Sequence, residues 1–160
     1  MTLALGIDPG TATTGYGLVR LMPDGGLVAV SFGVILAPKE SSDSARLVML
    51  FDELNKILKK HKPDTAAVEK LFFARNVSTG ITVGQARGVI LLALEKAGIP
   101  TSEYSPNEVK QAVAGYGHAE KRQMQEMVRT LLQLEKIPKP DDAADALAIA
   151  ITHLNTARYE

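Results

Sequence analysis

The chain changes hydrophobic period several times, and each change marks an element. Leu3, Leu5 and Ile7 alternate with Ala4, Gly6 and Asp8, a period of two that predicts a strand. One face of that strand carries bulky side chains. The other carries two small residues and then a carboxylate. Pro9-Gly10 ends it. Tyr16–Leu21 and Leu27–Leu36 read as two further strands, split by the turn Pro23-Asp24-Gly25-Gly26, and short connections make the three an antiparallel meander. The spacing then becomes helical at Leu47, Leu50, Phe51, Leu54, Ile57 and Leu58, with N-caps on offer from Ser41 to Ser44 and Pro63 as the stop.

Thr65–Val68 reads as a short strand ending at Glu69, followed by the loop from Lys70 to Asn76. A second helix spans about Ser78 to Ala97, with Gly98 as its C-cap. Thr101–Tyr104 is a fifth strand. Ser105-Pro106-Asn107-Glu108 is a capping box with proline at the first helical position, so a third helix starts there. Gly115-Tyr116-Gly117 breaks it. Met124, Met127, Val128, Leu131 and Leu132 mark a fourth helix, Ile137-Pro138-Lys139-Pro140 a rigid connector, and an alanine-rich helix covers about Asp142 to Ala157. Strands separated by helices pair in parallel through right-handed crossovers. The expected architecture is therefore an α/β fold with a five-stranded mixed sheet, three antiparallel strands and then two parallel, flanked by helices.

Length and composition narrow the class. A chain of 160 residues predicts one domain over residues 1–160, and 46% apolar content excludes a disordered chain. Lys plus Arg is 18 and Asp plus Glu is 18, so any polyanion site must come from local asymmetry. The absence of cysteine excludes disulfides, thiolate zinc sites and thiol nucleophiles, and fits a reducing compartment. The longest aliphatic run, Val89–Leu94, is far short of a membrane span, and the opening residues lack a basic region. A cytoplasmic protein with no membrane segment is expected.

Four acids form the first candidate constellation. Asp8 and Glu69 each close a strand, and if those strands are parallel neighbours both emerge at the carboxyl edge, where α/β sheets place ligands. Asp142 and Asp145 share a helix face, beside Ala143, Ala144 and Ala146, which are small enough to let a helix end approach a sheet. Taken alone, Asp142 and Asp145 read as helix-dipole caps, and Asp141 competes with Asp142 for any functional role. Taken together, converging carboxylates repel and raise one another's pKa unless divalent cations are present. Hard oxygen ligands favour Mg²⁺ or Mn²⁺, and two such ions about 3.5–4 Å apart suit phosphodiester cleavage.

Basic and aromatic residues point the same way. Six Lys/Arg residues against two acids lie between Lys56 and Asn76, and Lys110, Lys121 and Arg122 flank the glycine-rich break. Such groups hold phosphates, although a charge run alone is usually a solvated face. Phe72 and Phe73 sit beside Lys70 and Arg75, a setting in which one ring is expected to stack on an unpaired base and the other to anchor the loop. Gly80, Gly84 and Gly88 invite close approach of another backbone, either within one subunit or across a dimer. His61, His118 and His153 have no metal-ligand spacing, and Ser-His-Asp chemistry has no local support.

Leu5-Gly6-Ile7-Asp8-Pro9-Gly10, Val68-Glu69-Lys70-Leu71-Phe72, Gly84-Gln85-Ala86-Arg87-Gly88, Val109-Lys110-Gln111, Ala119-Glu120-Lys121 and Asp142-Ala143-Ala144-Asp145-Ala146-Leu147-Ala148 resemble the RuvC Holliday junction resolvases, in the family's order and over nearly the whole chain. The resemblance implies a ribonuclease-H-like fold and a homodimer on a four-way DNA junction, working with RuvA and RuvB branch-migration proteins. It implies paired symmetric nicks leaving a 5′-phosphate and a 3′-hydroxyl. Asp8, Glu69, Asp142 and Asp145 match the family's metal-binding catalytic acids, Lys121 a basic residue near the scissile phosphate, Lys110 another DNA contact, and Phe72 the aromatic near the crossover. The competing expectations are a YqgF-like nuclease acting on RNA and a junction-binding module with a dead site. An actin-like ATPase is suggested by Asp8-Pro9-Gly10-Thr11 and Thr14-Gly15-Tyr16-Gly17, but that fold needs a second domain for which 160 residues leave no room.

Overall fold

The computed structural model describes residues 1–10, 12–38, 40–70 and 77–157. The elements follow the order β1 (Thr2–Asp8), β2 (Thr13–Leu21), β3 (Leu27–Leu36), α1 (Asp43–His61), β4 (Thr65–Glu69), α2 (Val77–Lys96), β5 (Thr101–Tyr104), α3 (Pro106–Ala114), α4 (Lys121–Leu131) and α5 (Asp141–Ala157). The strands form one sheet in the order β3-β2-β1-β4-β5. β1 pairs antiparallel with β2, and β2 with β3, whereas β1–β4 and β4–β5 are parallel. The expected mixed sheet is the one observed.

Local chemistry sets the boundaries. The Ser42 hydroxyl accepts from the Ala45 N–H to start α1, and Lys62 leaves it in the left-handed region at φ 48° before Pro63. The capping box is present as read, with the Ser105 hydroxyl accepting from the Glu108 N–H and the Glu108 carboxylate from the Ser105 N–H, each at 3.1 Å. Gly25, at φ 90°, turns the hairpin between β2 and β3.

The sheet is covered on both faces. Leu3, Leu5 and Ile7 of β1 and Val68 of β4 pack with Leu50, Leu54 and Leu58 of α1 and Ile90, Ala93 and Leu94 of α2. On the opposite face Ala4, Val19 and Ala67 meet α5, with α3 and α4 alongside it. The period of two in β1 thus separates a thick apolar layer from a thin one.

The thin layer is what brings α5 down onto the sheet. Gly6 pairs across the ladder with Gly17, and Asp8 with Gly15. A methyl carbon added at Gly6 would lie 2.1 Å from the Ala146 carbonyl oxygen, and one at Gly15 would lie 2.0 Å from that of Asp142. At Gly17 it would lie 2.9 Å from the Leu147 nitrogen. The helix backbone therefore rests on strand backbone, where no side chain fits between. The far half of α5 is fastened by a buried histidine: His153 Nε2 lies 2.7 Å from Thr65 Oγ1 and Nδ1 lies 2.8 Å from the Tyr104 hydroxyl. That role for His153 was not legible from its spacing.

Candidate active site

Asp8 is the last residue of β1 and Glu69 the last of β4. Because Ile7 pairs in parallel with Val68, the two acids leave the sheet side by side at its carboxyl edge. Their side chains are hydrogen-bonded. Asp142 and Asp145 arrive from the first turns of α5, which the glycine seat holds against β1 and β2. One carboxylate oxygen from each of Asp8, Asp142 and Asp145 lies within 4.8 Å of the other two. Of the four acids read from the sequence, Asp8, Asp142 and Asp145 come together here, and Glu69 ends the strand beside Asp8.

The electrostatics show how crowded this edge is. The Asp8 carboxyl is pushed up to about 9, chiefly by burial, then by its hydrogen bond to Glu69 and the charges of Glu69, Asp145 and Asp142. Asp145 is raised to about 6, again chiefly by burial; the Lys121 charge opposes this, Glu69 and Asp142 add to it, and the hydrogen bond with Asp8 opposes it. Burial and acidic neighbours thus disfavour the charged form at both Asp8 and Asp145. A set of hard carboxylate oxygens that resists carrying its full negative charge fits a divalent oxygen-seeking cation such as Mg²⁺ or Mn²⁺.

Asp141 has a different neighbourhood. Its carboxylate is 2.8 Å from Lys121 Nζ and 3.6 Å from Lys139 Nζ, and it accepts from Gln125 Nε2 at 3.2 Å. These contacts, the Lys121 hydrogen bond first, hold Asp141 below the usual carboxylate range and raise Lys121 in return. Of the alternative left open, Asp142 is the one grouped with Asp8 and Asp145. Asp142 faces Asp8, and Asp141 anchors Lys121 at the rim. The ammonium of Lys121 also feels Asp145 and Asp142.

Lys110 and Lys121 border a cleft of about 240 Å³ that also reaches Glu69 and Asp145. Arg122 is exposed on the residue after Lys121. Phe72, Phe73 and Arg75 lie outside the described residues. Lys70, just before them, is 3.7 Å from Glu108. On α2 the glycines do not behave alike: Gly80 is buried, whereas Gly88 is exposed and a methyl carbon there would meet nothing. Residues four apart drift by about 40° around a helix. The exposed stripe contains Ile81, 56% exposed, and Leu92, 53% exposed. Gly80 is thus covered within the chain, whereas among the described residues nothing lies against Gly88.

Sequence reasoning did not find the glycine seat or the Asp141–Lys121 pair. The signal for the seat was present, since Gly15 and Gly17 alternate on the strand that follows Gly6.

Comparison with known proteins adds the family. The model for the crossover junction endodeoxyribonuclease RuvC matches residues 4–153. The chain is 60% identical to the RuvC of Chloroflexus aggregans over 155 residues, covering 96% of this chain and 93% of that one. It is 55% identical over 156 residues to the RuvC of a Roseiflexus strain, covering 98% and 92%. Among solved structures, Thermus thermophilus RuvC in complex with a Holliday junction substrate superposes with a TM-score of 0.94 at 36% identity, covering 99% of this chain and 96% of that chain. A yeast mitochondrial Holliday junction resolvase, at TM-score 0.66 and 17% identity, covers 93% of this chain and 77% of that one, and shares the fold.

Proposed function

The chain belongs to the RuvC family of crossover junction endodeoxyribonucleases, with its ribonuclease-H-like fold, and we propose that its four converging acids form the site that nicks DNA. It is an endonuclease that resolves four-way DNA junctions in recombination and repair. The observation that carries the site assignment is the meeting of Asp8, Asp142 and Asp145 within 4.8 Å, with Glu69 bonded to Asp8.

In this reading Asp8, Glu69, Asp142 and Asp145 would hold two Mg²⁺ or Mn²⁺ ions. Such ions supply Lewis acidity, a nucleophile at neutral pH, and charge stabilisation at the phosphate. The chain's own residues do the rest. Asp8, raised by burial and its acidic neighbours, would have to be deprotonated to serve as a ligand. The glycine seat fixes the α5 acids against β1, so that the ligand set is assembled before substrate arrives. Lys121, held by Asp141, sets a positive charge beside the scissile phosphate, and Lys110 and Arg122 take neighbouring phosphates. Phe72 stacks on a base near the crossover, with Phe73 and Arg75 in the same loop. The products are a 5′-phosphate and a 3′-hydroxyl.

Paired nicks need two sites. The open Gly88 and the exposed Ile81 and Leu92 support a homodimer formed through α2. RuvA and RuvB are the partners the family implies. Among the described residues no helix is long and apolar enough to cross a membrane, and a cytoplasmic location follows from the substrate.

The test is direct. Purified protein with Mg²⁺ or Mn²⁺ should cut a synthetic four-way junction in symmetric pairs and spare linear duplex and structured RNA. Asp8→Asn should bind the junction and fail to cut it. Full cleavage by that variant would remove Asp8 from the site. Phe72→Ala should lose about 1–3 kcal/mol of contact, read as slower cleavage with unchanged melting.

A further inference from the structure

One carboxylate at the start of α5 stands apart from the acid cluster. Asp141 comes one residue before Asp142, yet its oxygens are not grouped with those of Asp8, Asp142 and Asp145. Three donors take them instead: Lys121 Nζ at 2.8 Å, Lys139 Nζ at 3.6 Å and Gln125 Nε2 at 3.2 Å. Lys121 and Gln125 are four apart on α4 and share a face, and Lys139 lies in the connector before α5. Among the described residues neither lysine makes another ion pair. The contact is open to water, with the side chains of Lys121, Asp141 and Lys139 exposed by 60%, 46% and 72%.

This set of donors has the chemistry of a phosphate site. A carboxylate and a phosphodiester each spread one negative charge over two oxygens that accept from N–H donors, so donors that suit one suit the other. The place suits a phosphate as well. Lys121 borders the cleft that reaches Glu69 and Asp145, so a strand lying on the acids runs past these donors. A phosphate there and the Asp141 carboxylate would repel each other across the same ammonium groups. An exposed ion pair is weak, so it holds in the free chain and yields to a polyanion that brings further contacts.

We propose, resting on the junction-nuclease reading, that Asp141 is a built-in surrogate for a DNA phosphate: in the free protein its carboxylate fills a subsite made by Lys121, Gln125 and Lys139, and an incoming strand displaces it to seat a phosphate beside the acids. The contact is a latch. It subtracts from DNA affinity what it takes to part it, and it hands Lys121 to the strand only when that strand is in place.

The experiment titrates the full-length protein onto a synthetic four-way junction in buffer with a chelator and reads Kd. Asp141→Asn keeps the size of the side chain and removes its charge. It should bind the junction about two- to tenfold more tightly than the wild type, the range expected from parting exposed ion pairs. In a Lys121→Ala, Lys139→Ala background the same change should shift Kd by less than about 1.5-fold, because the donors it competes for are gone. Asp141→Ser, which can still cap the helix start, replaces the asparagine variant if that one melts early. A gain of equal size in the double-lysine background would trace it to general loss of negative charge and overturn the latch. Equal or weaker binding by Asp141→Asn overturns it too; with slower cutting at saturating protein and Mg²⁺, that result would make Asp141 a residue that only orients Lys121. No cutting of the junction by the wild type with Mg²⁺ would instead overturn the nuclease reading, and the comparison of Kd values would still decide the latch.

Discussion

α2 and α5 are similar helices in opposite surroundings. Both are long, 20 and 17 residues, and both are rich in small and aliphatic residues. In α5, Ala143, Ala144, Ala146 and Ala150 are buried, and two of them meet strand backbone at Gly6. In α2, Ile90, Ala93 and Leu94 are buried on α1 and the sheet, while Ile81, Gly88 and Leu92 face outward. The small residues of α5 have their counterparts in the same chain. Those of α2 are only partly used. The contrast teaches that a small-residue stripe reports close approach but not the identity of what approaches. It also separates two settings: α5 brings Asp142 and Asp145 against the sheet, and α2 leaves an apolar face turned outward.

The comparison can be broken most sharply at Gly15. Gly15→Ala puts a methyl against the Asp142 carbonyl, so α5 must lift and carry Asp142 and Asp145 with it. Overpacking of this kind costs about 1–3 kcal/mol. Junction cleavage should fall by at least about 100-fold, since a misplacement of about 1 Å costs that much. A Gly15→Ala enzyme with normal turnover would show that the seat does not position the acids.

Leu92→Glu comes next. A charge on the exposed stripe should shift sedimentation towards the monomer and convert paired nicks into single, unlinked ones. Melting of the monomer should barely change, because Leu92 is half exposed.

The third test is pH. Asp8 and Asp145 titrate higher in the folded chain than in the unfolded one. Folding thus favours their protonated forms. Their contribution to metal-free stability is therefore full below the ordinary carboxylate range and is lost as pH rises through about 6 and towards about 9. A divalent cation should reverse that slope, raising the melting temperature more at pH 8 than at pH 5. It should also bind more tightly as pH rises, since Asp8 must release its proton. A Mg²⁺-induced shift independent of pH would separate the cation from these carboxyls.

The smallest effect is expected at Gly88. Gly88→Ala meets no atom among the described residues and gains up to about 1 kcal/mol of helix propensity. The variant should melt slightly higher at low protein concentration, while a dimer built on that face should weaken.

Local signals determined much of this protein. The period of two in Leu3–Asp8, the capping box at Ser105 and the proline stop at Pro63 act through neighbouring residues, and they placed the elements without help from the fold. They also put Asp8 and Glu69 at strand ends, which is why the site was visible as a list of acids. The tertiary structure alone decided that Asp142 faces Asp8 while Asp141 turns to Lys121. It decided too that Gly6, Gly15 and Gly17 share one seat, that His153 finds Thr65 and Tyr104, and that Gly88 finds no partner among the described residues. Those outcomes depend on residues far apart in sequence meeting at contact distance. A pattern read along one segment encodes which way its side chains face, and carries nothing about what stands opposite.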